Sequence, residues 1–303
     1  MTLLAILLVV ISAFMHAGWN LLSKSQRPST GFFLVASISG ALMLSPSLVV
    51  YHDTVAHSIP ACVWILLLAT GFFMALYYAC LAGAYRAGDM SVAYPLARSS
   101  PVIVVSVVTL MLGRGYQVSG LCVAGIVLIV GGCFLIPLQR FGDMHLRNYM
   151  NATCGLALLA AVGTSGYSIL DDESLRQLRT NSQLTIGNTQ VTLIYACLEA
   201  LSASLWLTAF VAVRRKSRTG LRQVLQSQKR HAVLTGMAIC LTYAIVLISL
   251  AFVSNVSYVV GFRQLSIPLG AMAGVLVLKE EPHAPRLLGV TIMFIGLMLV
   301  AMG

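Results

Sequence analysis

Ten apolar runs, each close to the length of a bilayer crossing, follow one another along the chain with short polar gaps between them. In hydrocarbon each backbone N–H and C=O must be satisfied inside the protein, so isolated runs of this kind are restricted to helices. A crossing takes roughly 17–25 apolar residues. The runs fall at about 2–22, 31–51, 61–85, 91–112, 117–137, 150–170, 190–213, 232–252, 255–278 and 285–302. Only Ser254 and Asn255 mark a break between the eighth and ninth, but without it that stretch is far too long for one span. The expected fold is therefore an all-α integral membrane protein with ten transmembrane helices.

Charge supports the same class. Only 9% of the 303 residues are charged and 58% are hydrophobic, whereas soluble domains carry about 25% charged residues. The net charge of +10 does not read as a nucleic-acid footprint, because the basic residues sit in the gaps between apolar runs. There they act as topology signals and contacts for anionic lipid headgroups. The seven cysteines all lie in apolar stretches without a CxxC pair. They are expected to pack as small apolar side chains, with no disulfide framework and no metal site. The N-terminus lacks a basic leader and its apolar run continues to Leu22, as expected of a retained first helix.

The chain repeats itself. Tyr78 through Arg98 match Tyr243 through Arg263 at an offset of 165, which pairs both tyrosines and both arginines. Gly125-x6-Gly132 matches Gly289-x6-Gly296, and Gly18-Trp19 matches Gly166-Tyr167 at an offset of 148. Two five-helix units follow, residues 1–137 and 150–303, joined by a loop at 138–149. Five is odd, so the second unit enters from the opposite face and the repeats are inverted. In such folds the solute site lies near the midplane, between the repeats.

The loops orient the chain. Odd-numbered loops hold fourteen Lys or Arg and even-numbered loops three. The positive-inside rule then places odd loops in the cytoplasm and both termini outside. Half of those fourteen lie in one loop, Arg214 to Arg230.

Two arginines lie inside apolar runs. A guanidinium near the membrane centre costs about 2.5–3.5 kcal/mol on insertion scales, so Arg98 and Arg263, at matching places in the repeats, are expected to be used. With about 1.5 Å of rise per residue, each sits roughly 12–13 Å from its own membrane face. Their forked donors suit carboxylate or phosphate; the structural alternative is an ion pair or carbonyl cap that locks the repeats together.

Polar stripes accompany them. Ser12, His16, Asn20 and Ser23 share a helix face with Trp19 beside it, and Ser91, Tyr94, Arg98 and Pro101 share another. Asn255, Val259, Arg263 and Ser266 follow the same spacing in the second repeat. Stripes of this kind line a cavity or bond neighbouring helices. His16, Trp19, Asn20, Tyr78, Tyr94, Tyr243, Tyr258 and Gln264 are candidate solute contacts with the two arginines, and Tyr77 and Tyr167 are further cavity candidates. Pro95, Pro101 and Pro268 interrupt helix hydrogen bonding and are candidate hinges. Glu199, on a face with Thr192, Tyr195, Ser202 and Trp206, is the one acid well inside a span. It is either a proton-coupling site or a static partner of an arginine. Asp171-Asp172-Glu173 reads as a solvated helix end.

His16-Ala17-Gly18-Trp19-Asn20-Leu21-Leu22-Ser23-Lys24 and the stretch YACLAGAYRAGDMSVAYPLARSSP from Tyr78 to Pro101 resemble the EamA-type family of the drug/metabolite transporter superfamily. Tyr243 through Arg263 to Leu278-Lys279-Glu280-Glu281 resembles its second repeat. The resemblance implies ten helices in two repeats and movement of small metabolites across a bacterial inner membrane, often outward. The chain departs from the family at Gly113-Arg114-Gly115, where the fourth helix commonly ends in Gly-Glu, and Asp172 stands where the first repeat has Lys24.

The expectation is a multi-pass inner-membrane secondary transporter, an exporter or facilitator of a small anionic or zwitterionic metabolite such as an amino acid, working by alternating access. Its partners are that solute and membrane lipids, with no cofactor. Gly289, Gly296 and Gly303 serve packing within one chain or between two, so monomer and homodimer stay open. Alternatives are a broad drug exporter, which calls for a net acidic cavity, and a membrane enzyme or scaffold. The sequence lacks P-loop, GxSxG and HExxH motifs, so nothing in it points to ATP hydrolysis or an enzyme.

Overall fold

The computed structural model describes residues 3–111, 119–142, 145, 148–181, 184, 186–250 and 263–302. Among these residues the secondary structure is helical throughout. Ten helices of eleven residues or more run in order: α1 Leu3–Ser25, α2 Thr30–Val50, α3 Ala61–Ala87, α4 Met90–Met111, α5 Gly120–Leu135, α6 Ala152–Thr180, α7 Asn188–Val213, α8 Lys229–Leu250, α9 Ser266–Leu276 and α10 Ala284–Met302. A short helix, His52–His57, links α2 to α3, and Arg215–Gln223 leads into α8 through a wider turn at Val224–Gln228. Six helices (α1, α2, α3, α6, α7 and α10) contain stretches long and apolar enough to cross a membrane.

Local chemistry sets several boundaries. Ser29 caps α2 by accepting the N–H of Phe32 at 3.2 Å, Ser119 caps α5 through Cys122 at 3.0 Å, and Asn151 caps α6 through Cys154 at 2.9 Å. Each satisfies an N–H that the first helical turn leaves free. Leu7, Ile11 and Phe14 on α1, and Leu121, Val127 and Phe134 on α5, point outward. Such exposed apolar bands suit a hydrocarbon solvent.

One boundary corrects the sequence reading. The sixth run was expected to end at residue 170 with Asp171-Asp172-Glu173 beyond it, yet α6 continues to Thr180. Hydropathy falls there because the final turns are two-faced: Ser174 and Leu178 are buried while Asp172 and Arg179 are exposed. Helical periodicity persists where the apolar run stops. The expected break at Ser254–Asn255, Tyr258, Val259, Gly113-Arg114-Gly115 and Gly303 lie outside the described residues.

The helices pack in a regular scheme. α3 lies against α6 and α7, and α8 against α1 and α2; α4 lies against α6, and α9 against α1. α2 pairs with α7, α4 with α9, and α5 with α10. The α5–α10 seam joins the glycines whose spacing matches in the sequence, Gly125 and Gly132 with Gly289 and Gly296. A Cβ on Gly125 would lie 2.5 Å from the carbonyl oxygen of Gly296, and one on Gly132 would lie 2.7 Å from that of Gly289. The two helices are therefore antiparallel and nearly in backbone contact, and Gly289 and Gly296 pack within the chain. The α2–α7 seam is polar: Ser37 Oγ donates to the carbonyl of Ala200 at 3.1 Å, and Ser204 Oγ donates to Ser37 Oγ at 3.0 Å.

Candidate functional site

A cavity of about 390 Å³ opens between these seams. α6 supplies Thr164, Tyr167, Ser168 and Asp171, which follow helical spacing and so form one face. α1 supplies His16 and Trp19, α3 Tyr77 and Tyr78, and α4 Arg98. α7 supplies Tyr195 and Glu199, α8 Cys240 and Tyr243, and Arg263 and Gln264 complete the wall just before α9. The matched pairs Trp19 and Tyr167, Tyr78 and Tyr243, and Arg98 and Arg263 thus meet around one space.

The arginines define one pole. Arg98 stands among Tyr94, Tyr77 and Tyr167, and Arg263 is close enough to feel its charge. Neither forms an ion pair with a carboxylate among the described residues. Arg98 Nε is buried and makes no hydrogen bond. Like charges facing a common low-dielectric space repel, and an anion between them relieves that cost.

His16 adds a donor to this pole. Trp19 Nε1 donates to His16 Nδ1 at 3.3 Å, which assigns the neutral ring's proton to Nε2. Nε2 is buried without a partner, as is Gln264 Oε1. Both belong to cavity-lining residues, so the walls carry unspent hydrogen-bonding capacity.

A second, acidic pole lies on α6 and α7. Tyr195 donates its hydroxyl to Asp171 Oδ1 at 2.8 Å, and Thr70 donates to the same oxygen at 3.1 Å. The Asp171 and Glu199 side chains line the same wall and lie close enough to interact directly. Glu199 therefore faces a carboxyl group, and among the described residues no ion pair joins it to Arg98 or Arg263, the static alternative to a coupling role. Asp171, read from the sequence as part of a solvated helix end, is a cavity residue instead. The signal that could have found it is periodic: Asp171 stands seven residues after Thr164 and four after Tyr167, on one helix face.

Several candidates occupy packing positions. Asn20 is fully buried; its Nδ2 donates to the carbonyl of His16 at 2.8 Å, and its Oδ1 accepts from Tyr85 at 2.8 Å. It supports α1 from behind His16, where a stripe reading cannot separate cavity from helix seam. Ser12 donates to the carbonyl of Thr242 at 3.3 Å, and Ser23 to that of Trp19 at 2.7 Å. Tyr94 stands behind Arg98 with its ring against Gly270, where an added Cβ would come within 2.4 Å. Ser202 and Trp206 turn to α3, donating to the carbonyls of Leu67 and Leu68, both at 2.9 Å. Pro95 and Pro101 lie within α4, and Ser165 donates to the Pro101 carbonyl at 3.3 Å. Pro268 sits in the first turn of α9, where its missing N–H costs no ladder bond. Tyr258 lies outside the described residues.

Residues 3–138 match the EamA-like transporter family. Curated proteins provide no match to the chain. The apolar spans and this match together make the chain a multi-pass membrane protein.

Proposed function

We propose, for a chain whose residues 3–138 match the EamA-like transporter family of the drug/metabolite transporter superfamily, that it is a secondary transporter for a small anionic or zwitterionic metabolite such as an amino acid. The observation that carries this reading is the pair Arg98 and Arg263 lining one cavity without a carboxylate partner among the described residues. Arg98 and Arg263 receive the negative group; His16 and Gln264 add hydrogen bonds; Trp19, Tyr78 and Tyr243 shape the walls.

The architecture that fits is ten spans in two inverted repeats, 1–137 and 150–303, on either side of the 138–149 loop. Its support is the exchange symmetry of the packing. Replacing each helix by the one five places along turns the α3–α6 contact into α8–α1, α4–α6 into α9–α1, and α3–α7 into α8–α2, while α2–α7, α4–α9 and α5–α10 map onto themselves. Alternating access then consists of one repeat rocking against the other. Pro95 and Pro101 are the proposed bending points, because α4 lacks ladder donors at both positions. The loop charges favour an inner-membrane protein with both termini outside, working as exporter or facilitator.

Solute flux into proteoliposomes tests the assignment. Arg98→Ala and Arg263→Ala are each expected to lower flux of the transported solute at least tenfold while the protein remains monodisperse. Flux that persists unchanged in both variants rejects the arginine roles.

A further inference from the structure

The two poles of the cavity are separated along α6. Arg98 lies beside Tyr167, and Thr164 lines the same cavity one turn earlier. Asp171 is four residues beyond Tyr167 and seven beyond Thr164. At about 1.5 Å of rise per residue, the acidic pole stands roughly 6–10 Å along the helix axis from the level of the arginines. Tyr167 senses both Arg98 and Glu199, and Tyr243 senses both Glu199 and Arg263, so these two rings stand between the poles.

Among the described residues no basic side chain forms an ion pair with Asp171 or Glu199. Of the basic side chains further along α6, Arg176 pairs with Glu173 at 2.6 Å, and Arg179, about two turns on, donates to Thr192 Oγ1 at 3.3 Å. Thr70 from α3 and Tyr195 from α7 face Asp171 with hydroxyls, and Tyr243 approaches from α8. Two carboxyl groups in contact need a proton or a cation between them. Thr164, only 8% exposed, lines the cavity wall at the arginine end.

We propose that Asp171 and Glu199 form a binding site for the cationic nitrogen of the solute, so that the preferred solute carries an ammonium and a carboxylate roughly 6–10 Å apart along its length. This rests on the reading above, in which Arg98 and Arg263 take the carboxylate. The ammonium replaces the proton or cation that the carboxyl contact demands, and its N–H groups reach carboxylate oxygens as charge-assisted hydrogen bonds. An α-amino acid holds its charges too close together to reach both poles through its backbone groups alone. A basic amino acid with a terminal side-chain amine, or a short peptide, spans them. A carboxylate without an amine leaves the acidic pole unpaired, which is the situation that gives polar sites their strongest discrimination.

The test is a binding series on the purified full chain in detergent, with 6-aminohexanoate, hexanoate, hexylamine and glycine as probes. Binding is read from ligand-induced rise in Tm and from calorimetric Kd. The expected result is a Kd for 6-aminohexanoate at least tenfold below those of the other three. Glu199→Gln and Asp171→Asn are expected to reduce its advantage over hexanoate to less than twofold while hexanoate affinity holds. The wild-type series stands even if a variant fails to fold. Equal affinity for hexanoate and 6-aminohexanoate overturns the ammonium site and leaves the arginine reading intact. Glycine binding as tightly as 6-aminohexanoate overturns the spacing. Hexylamine matching 6-aminohexanoate, or binding that survives Arg98→Ala unchanged, overturns the arginine reading on which the proposed spacing rests; no binding by any probe overturns both readings.

Discussion

The carboxylate of Glu280 accepts the backbone N–H of Ser91 at 2.9 Å, and its other oxygen accepts that of Met90 at 2.6 Å. A side chain between α9 and α10 thereby caps the helix that carries Arg98. Lys279 adopts a left-handed backbone, φ 57°, immediately before it. Around this contact Lys24 donates to the carbonyls of Tyr85, at 2.6 Å, and Gly88 at the end of α3, while Arg286 bonds Asp89 at 3.0 Å and Ser91 Oγ at 2.8 Å. Anions favour helix N-termini and cations favour C-termini, so the cluster ties α1, α3, α4 and α10 together at one end. The repeat-related positions carry Gly113-Arg114-Gly115 and Asp172, whose charges are the reverse of what such a tie uses.

Removing the cap is expected to loosen α4. Glu280→Ala leaves two N–H groups without their acceptor, and a hydrogen bond to a charged group is worth about 1.5–3 kcal/mol. Thermal unfolding in detergent should show a clear fall in Tm for Glu280→Ala and a smaller one for Glu280→Gln. An unchanged Tm in both would mean that the contact contributes nothing to stability.

Gly274 makes room for that carboxylate. A Cβ there would lie 2.5 Å from Glu280 Oε2 and 3.2 Å from the Ser91 nitrogen. Gly274→Ala is expected to destabilise by about 1–3 kcal/mol through overpacking. Combined with Glu280→Ala it should cost less than the sum of the single changes, because both act on one contact. Simple additivity in a double-mutant cycle would count against this coupling.

The α5–α10 seam supplies a sharper contrast between adjacent residues. A Cβ on Gly132 would sit 2.7 Å from the Gly289 carbonyl, whereas one on Gly131 would meet nothing within 4 Å. Gly132→Ala should lower the unfolding temperature by separating the backbones, at a cost of about 1–3 kcal/mol. Gly131→Ala should be neutral or stabilising by up to about 1 kcal/mol, since alanine is the better helix former. Equal effects of the two changes would refute the seam.

Trp19 is expected to act through His16. Trp19→Phe keeps an aromatic ring but removes the N–H that donates to His16 Nδ1. If that bond holds Nε2–H toward the solute, affinity for an anionic or zwitterionic solute should fall by roughly threefold to tenfold, matching the 0.5–1.5 kcal/mol of a typical hydrogen bond. His16→Ala should produce at least as large a loss, and adding Trp19→Phe to it should change little. A full further loss in the double variant would show that Trp19 contacts the solute independently.

Much of the architecture was legible because hydrocarbon restricts the choices. A chain this apolar has to place long runs in helices, and the offset of 165 pairs Tyr78 with Tyr243 and Arg98 with Arg263 without any coordinate. The arginines stood out because an intramembrane guanidinium is costly. Asp171 did not, because hydropathy falls at residues 171–180 whether a helix ends there or continues with one polar face. Asn20 and Glu199 show the same limit from the other side. Spacing identifies a polar stripe, but the neighbour that accepts each hydrogen bond belongs to a distant part of the chain.

Sequence alone determined the helical class, the internal match of Tyr78 through Arg98 with Tyr243 through Arg263 and the presence of positive charge within apolar runs, since each is read from residue order and from the cost of polar groups in lipid. Which charge meets which was decided by tertiary structure. The contact of Glu199 with Asp171, the pairing of Gly132 with Gly289 and the capping of α4 by Glu280 join residues 28, 157 and about 190 positions apart, and only packing in three dimensions brings such groups within reach of forces that act over a few ångströms.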